Sequence, residues 1–209
     1  MRTVVFDIDT QRDFMEPGGR LYVPGAETII PAVRRILEAA RDHRIPVLAS
    51  MDAHAAEDPE FGLFPPHCVV GTRGQEKIPA TVIGPFRVIP NVPQPIELCE
   101  GETLRLEKQS LSVLDHANID AALEALRPEL AIVVGVATEF CVRAAALGLR
   151  SRGIAVAVVT DAVRAVDPAA GERALAEVRA AGGRTIALGE ALRLLGQCAA
   201  EPPPPTVHP

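Results

Sequence analysis

What most constrains this chain is a regular alternation of short, β-branched apolar runs with longer stretches of helical periodicity. Thr3-Val4-Val5-Phe6-Asp7-Ile8-Asp9 is the first run, and others follow at residues 46–52, 104–108, 131–136, 155–160 and 184–188. Runs that are apolar throughout belong to strands buried on both faces, and strands separated by helices pair in parallel. Between them, Ile29, Ile30, Val33, Ile36, Leu37 and Ala40 recur at helical spacing, with Pro31 leaving the start undefined. Further helices are expected from residue 119 to about 126 behind Asn118 as N-cap, over 138–152 up to Gly153, over 171–181 and over 191–195. Residues 53–103 read as irregular, with a short strand at 87–90, and so long a connection is usually functional. The fold class is therefore α/β, an open parallel sheet covered by helices on both faces.

A chain of 209 residues, 48% hydrophobic, supplies one sizeable core, so a single domain over residues 1–200 is expected, with a Pro-rich, disordered or extended tail at 201–209. A net charge of −6 repels a phosphate backbone, which argues against nucleic acid as a partner. No apolar run approaches the roughly 20 residues of a membrane span, and Met1-Arg2 leads straight into a strand, so the reading is a cytoplasmic protein with no membrane partner. Cys68, Cys99, Cys141 and Cys198 are scattered without CxxC spacing and read as free thiols.

In open α/β sheets, sites gather at the carboxyl ends of the strands. Here those ends carry Asp9, Asp52 with His54, Lys108, and the turn that reaches Cys141. Cys141 falls about where a helix begins, a position that favours the thiolate, though a small buried core residue explains a free Cys equally simply. Asp9 is placed to take a thiol proton, and Lys108 to hold that carboxylate. Asp52, His54 and His67 offer an oxygen and two imidazole nitrogens suited to Zn, Mn or Fe; a hydrogen-bonded loop pair is the plainer reading of Asp52 and His54. Cys68 beside His67 is either a fourth ligand or a buried structural thiol, and His43, His116 and His208 read as surface residues.

Five segments then become specific together. They are residues 5–14 (Val-Phe-Asp-Ile-Asp-Thr-Gln-Arg-Asp-Phe) with Pro17-Gly18-Gly19, then Asp52-Ala53-His54, Phe64-Pro65-Pro66-His67-Cys68, Glu107-Lys108, and Gly135-Val136-Ala137-Thr138-Glu139-Phe140-Cys141-Val142. In this order the chain resembles the isochorismatase-like cysteine hydrolases, and within them the nicotinamidase branch. The resemblance implies a Rossmann-like three-layer fold with a central parallel sheet. It also implies a triad of Asp9, Lys108 and Cys141, an oxyanion hole from the backbone N–H groups of Ala137 and Cys141, and a cis peptide between Val136 and Ala137. Asp52, His54 and His67 would hold a divalent metal, typically zinc with Mn or Fe as alternatives, that receives a pyridine nitrogen, and Phe14 and Phe64 would flank the ring.

The activity so implied is hydrolysis of nicotinamide to nicotinic acid and ammonia through a Cys141 thioester, the metal positioning substrate more than acting on the thiol. The alternative is a related amidase acting on another small amide or a carbamoyl compound. Phe64 stands where the branch commonly has Trp, and Ser110-Leu111-Ser112 where it has an aromatic residue, which predicts a wider or less aromatic pocket. A homo-oligomer is the expected assembly.

Overall fold

The computed structural model describes residues 1–99 and 101–198; the expected tail and His208 lie outside them. Seven strands form one sheet: β1 (Thr3–Ile8), β2 (Val47–Asp52), β3 (Phe86–Ile89), β4 (Thr103–Lys108), β5 (Leu130–Val136), β6 (Ala155–Arg164) and β7 (Arg184–Ile186). Their order is β3-β4-β2-β1-β5-β6-β7, and every pairing is parallel. The helices are α1 (Arg12–Met15), α2 (Ile30–Asp42), α3 (Ile119–Leu126), α4 (Arg143–Ser151), α5 (Pro168–Ala180) and α6 (Leu188–Cys198).

Side chains alternate across the sheet and divide the interior in two. Val4, Phe6, Ile8, Val133 and Val158 pack with α3, α4 and α5; Val5, Ile132, Val134 and Val159 pack with α1, α2 and α6. These are the three layers that the apolar runs imply. Among the described residues no helix is long and apolar enough to cross a membrane.

Several local expectations need correction. Pro31 sits in the first turn of α2, where its missing N–H costs nothing, so the helix begins at Ile30. The helix expected from 171 begins at Pro168, because Asp167 caps it by accepting from the Ala170 N–H at 2.6 Å. Asn118 precedes α3 but makes no capping bond; its amide instead accepts from the Gln94 N–H and donates to the Val92 carbonyl, both at 2.8 Å, tying down the long connection. His116 is not a surface residue. It is buried, accepts from the Asn118 N–H through Nδ1, and therefore donates from Nε2 to the Ile89 carbonyl as the neutral ring. Burial accordingly holds its pKa below the usual histidine value. His43 is exposed as expected.

The chain runs outward from β1 in both directions, to β2 and β4 on one side and to β5, β6 and β7 on the other. The switch point between β1 and β5 is where a doubly wound sheet opens a crevice. At its mouth Ile8 pairs with Gly135, whose φ is +112°. A Cβ there would stand 2.0 Å from the Ile8 carbonyl oxygen, so only glycine lets the two strands close this far. Gly135→Ala should therefore lower stability by at least about 2 kcal/mol through overpacking and a left-handed backbone. Urea unfolding measures it, and an unchanged midpoint would refute this account of the switch point.

Candidate active site

Four strand ends meet at this crevice. Asp9 follows β1 in a left-handed turn (φ +49°), which an aspartate tolerates and which swings its carboxylate across the end of the sheet. Asp52 and Lys108 are the paired last residues of β2 and β4, so register alone sets them side by side. Cys141 arrives from the turn after β5. That turn corrects the continuous helix expected over 138–152: Thr138–Val142 is a π-helical turn in which Phe140 is non-helical (φ −111°, ψ −105°), and α4 begins only at Arg143. The peptide bond between Val136 and Ala137 is cis.

The Lys108 ammonium is the centre of the cluster. It lies 3.0 Å from Asp9 Oδ2, donates to Asp52 Oδ1 and to the Ser110 carbonyl (3.0 Å), and stands 3.6 Å from Cys141 Sγ. Burial works against its charge, but Asp52 and Asp9 outweigh it and keep the ammonium protonated. Burial likewise drives the Cys141 thiol well above its ordinary pKa, with Lys108 pulling the other way and Asp9 adding to the rise. The helix-terminus argument for a ready thiolate is thus corrected, since the resting sulfur is a thiol. Asp9 is also raised, chiefly by burial, against the pull of Lys108. Its Oδ1 accepts from the Ser50 hydroxyl at 2.6 Å, while its buried Oδ2 has no hydrogen bond. One oxygen is anchored by Ser50, and the other is ion-paired with Lys108, which also stands against the thiol.

Asp52 joins this cluster to a second one. Its Oδ2 faces away from Lys108, 3.8 Å from His54 Nε2 and 3.6 Å from His67 Nε2. Burial opposes ionisation of Asp52, yet Lys108 and the two imidazoles prevail and hold it far below the usual carboxylate range. His67 Nδ1 lies 2.8 Å from the Pro65 carbonyl and His54 Nδ1 lies 3.1 Å from Asp58 Oδ2, the outer contacts that orient ligating imidazoles. Both ring nitrogens of His54 are buried without a hydrogen bond. Three converging donors, one of them without a hydrogen bond, fit a divalent cation, and Asp52 and His54 stand 3.8 Å apart, longer than a direct hydrogen bond. Cys68 stands outside this donor group, buried, with burial raising its thiol pKa and its N–H bonded to Asp13 Oδ2 at 2.7 Å.

Between the two clusters lies a cavity of about 160 Å³. Cys141, Asp9, Ala137, Asp52, His67 and Glu60 all line it. Phe14 and Phe64 both line it, with ring centroids 5.4 and 6.4 Å from His67, and Leu111 enters from the segment expected to lack an aromatic ring. Among the described lining residues there is no Lys or Arg. Four contributors were not anticipated: Ser50, Asp58, Glu60, and Phe61, whose ring packs on both imidazoles at 5.4 and 5.8 Å. Ser50 was detectable, two residues before Asp52 on the same strand face.

Comparison with known proteins places the whole chain, not single residues. The isochorismatase domain model matches residues 3–85 and 92–190. The chain is 30% identical to the N-carbamoylsarcosine amidase of Arthrobacter sp over 147 residues, 68% of this chain but only 52% of that enzyme, so it spans about half of that relative's length. It is 28% identical to the nicotinamidase/pyrazinamidase of Mycobacterium tuberculosis, covering 87% of this chain and 96% of that one. The crystal structure of Pyrococcus horikoshii pyrazinamidase in complex with zinc superposes with a TM-score of 0.75 at 28% identity, covering 90% of this chain and 99% of that one. With nearly its whole described length matched to that domain, and the strand ends bearing the residues that carry the likeness, this chain belongs to the isochorismatase-like hydrolase family.

Proposed function

We propose that this protein is a metal-dependent cysteine amidohydrolase whose substrate is nicotinamide or a close pyridinecarboxamide. The observation that carries this reading is the cavity itself, which is lined both by a thiol and a carboxylate, Cys141 and Asp9, and by two of the three candidate cation donors, Asp52 and His67. An aromatic amide with a ring nitrogen spans those two demands.

In the reaction, Cys141 Sγ attacks the amide carbonyl while its proton passes to Asp9 Oδ2. The N–H groups of Ala137 and Cys141 receive the oxyanion, and the Lys108 ammonium offsets negative charge on sulfur and carboxylate. Collapse breaks the C–N bond, and ammonia leaves with the proton returned by Asp9. Water then attacks the thioester, giving its proton to Asp9; the acid departs and the thiol is restored. Asp52, His54 and His67 would hold the cation, zinc suiting the donor set with Mn or Fe as alternatives, which supplies an electrophilic seat for the ring nitrogen. Phe14 and Phe64 flank the ring.

Hydrolysis of an N-carbamoyl amino acid is the competing reading, given the similarity to N-carbamoylsarcosine amidase. Such a substrate carries a carboxylate. The lining offers no Lys or Arg to pair with it, whereas Phe14 and Phe64 suit a flat, neutral amide, and this supports the aromatic-amide reading.

Cys141→Ala should abolish ammonia release while leaving the fold intact, and Asp9→Asn should cost about 10²–10⁴-fold in turnover, since an amide cannot take the thiol proton. Persistent turnover in folded Cys141→Ala protein would end the covalent mechanism. In a substrate panel, nicotinamide should be hydrolysed far faster than benzamide, which lacks the ring nitrogen, and N-carbamoylsarcosine slowest. Equal rates for the two aromatic amides would remove the pyridine seat from the mechanism. The sharing of Asp52 gives the metal a larger part in thiol chemistry than the expectation that it chiefly positions substrate. Chelation removes positive charge close to the Lys108 cluster, so Cys141 should react more slowly with iodoacetamide near neutral pH in metal-free protein, and an unchanged rate would show the two halves to be electrically independent.

A further inference from the structure

Gln11 lies outside both clusters and is completely buried. Its place follows from the way β1 ends. The β1–β2 ladder stops at the Asp7–Ala49 pair, because Asp9 turns the chain away, yet β2 continues to Asp52. On the other side β2 stays paired to its end, with the Ala53 N–H on the Lys108 carbonyl. The N–H and carbonyl of Asp52 point toward the β1 side, where no strand remains. The side-chain amide of Gln11 fills that gap: Oε1 accepts from the Asp52 N–H at 2.7 Å and Nε2 donates to the Asp52 carbonyl at 2.8 Å. A third bond runs from Nε2 to the Gln75 carbonyl at 2.8 Å, and the main chain of Gln11 bridges Lys77. One side chain thus stands in for a missing strand residue and is itself fixed from a second direction.

We propose that Gln11 is a positioning residue for the cation site, holding the main chain of Asp52 so that its carboxylate divides between Lys108 and the two imidazoles. This rests on the metal-dependent reading above. Asp52 carries the only carboxylate in the Asp52, His54 and His67 donor group, and its side chain is tethered on one oxygen to Lys108. Rotating or shifting its backbone moves Oδ2 relative to two imidazoles that other contacts hold still.

The test is zinc affinity, measured on metal-stripped protein by competition with a fluorescent chelator. Gln11→Ala should bind zinc about 10- to 100-fold more weakly, the usual effect of losing a partner that orients a ligand. Thr81→Val serves as the comparison: it deletes an equally buried hydroxyl that bonds the Ile78 carbonyl and Thr10, away from Asp52, and should lower the melting temperature without weakening zinc binding. Should Gln11→Ala not fold, Gln11→Glu carries the test, since it is isosteric, keeps the acceptor for the Asp52 N–H and loses both donated bonds; it should also weaken zinc. Folded Gln11 variants that bind zinc as the parent does would overturn the inference. A parent that takes up no zinc would instead defeat the metal-dependent reading, and this inference with it.

Discussion

Everything at the crevice is organised around one buried ammonium group. Removing a charge from water costs several kcal/mol, so Lys108 can remain an ammonium ion only because Asp9 and Asp52 reach it from two strand ends. Its three protons face four acceptors: Asp52, the Ser110 carbonyl, Asp9 and the Cys141 sulfur. Two protons are committed to Asp52 and Ser110, which leaves one for Asp9 and the thiol together. Asp9 Oδ2, 3.0 Å from the ammonium, therefore shares it with the sulfur. That sharing holds a carboxylate beside the thiol, so the same arrangement that stabilises the site also sets a proton acceptor next to the nucleophile.

The sheet makes that arrangement without a special loop for each residue. Asp52 and Lys108 adjoin because they end neighbouring parallel strands in register, and Asp9 joins them because β1 turns left-handed one residue past its last apolar position. Cys141 reaches the group because β1 and β5 close at Gly135 and the following π turn offsets the chain before α4. A continuous helix over the same residues would place the sulfur differently on its surface.

The parallel sheet was legible because both faces of the central strands are buried, which leaves nearly unbroken apolar runs such as Thr3–Ile8 and Leu130–Val136. Strand-end polar residues stood out against that background, and five motifs together pointed to the family. Other features left no local trace. The Ala/Leu run that gives 138–152 its helical composition lies in α4, and it conceals the π turn ahead of it, Thr138–Val142, whose own residues carry no signal for that geometry. His116 and Asn118 resemble ordinary polar surface residues, yet their partners lie some 24 to 27 positions away in the long connection. Asp52 bonding to Lys108 depends on strand order, which periodicity does not encode.

That last contact changes the chemistry most. As separate motifs, the thiol group and the metal ligands read as two modules, one reactive and one for orientation. In the fold they share a carboxylate, with Oδ1 on Lys108 and Oδ2 toward His54 and His67. Asp9 and Asp52 together offer two carboxylates against one ammonium on Lys108, and on the proposed reading a divalent cation on the far oxygen would reverse the local balance. Coulomb attraction across a few ångströms of low-dielectric interior is strong enough for that reversal to reach the sulfur, whose proton is held chiefly by burial. On the proposed mechanism, substrate seating and thiol activation would then be two consequences of one occupied site. The thiol, whose proton burial retains, would become nucleophilic once an amide lay in the cavity and Asp9 accepted that proton.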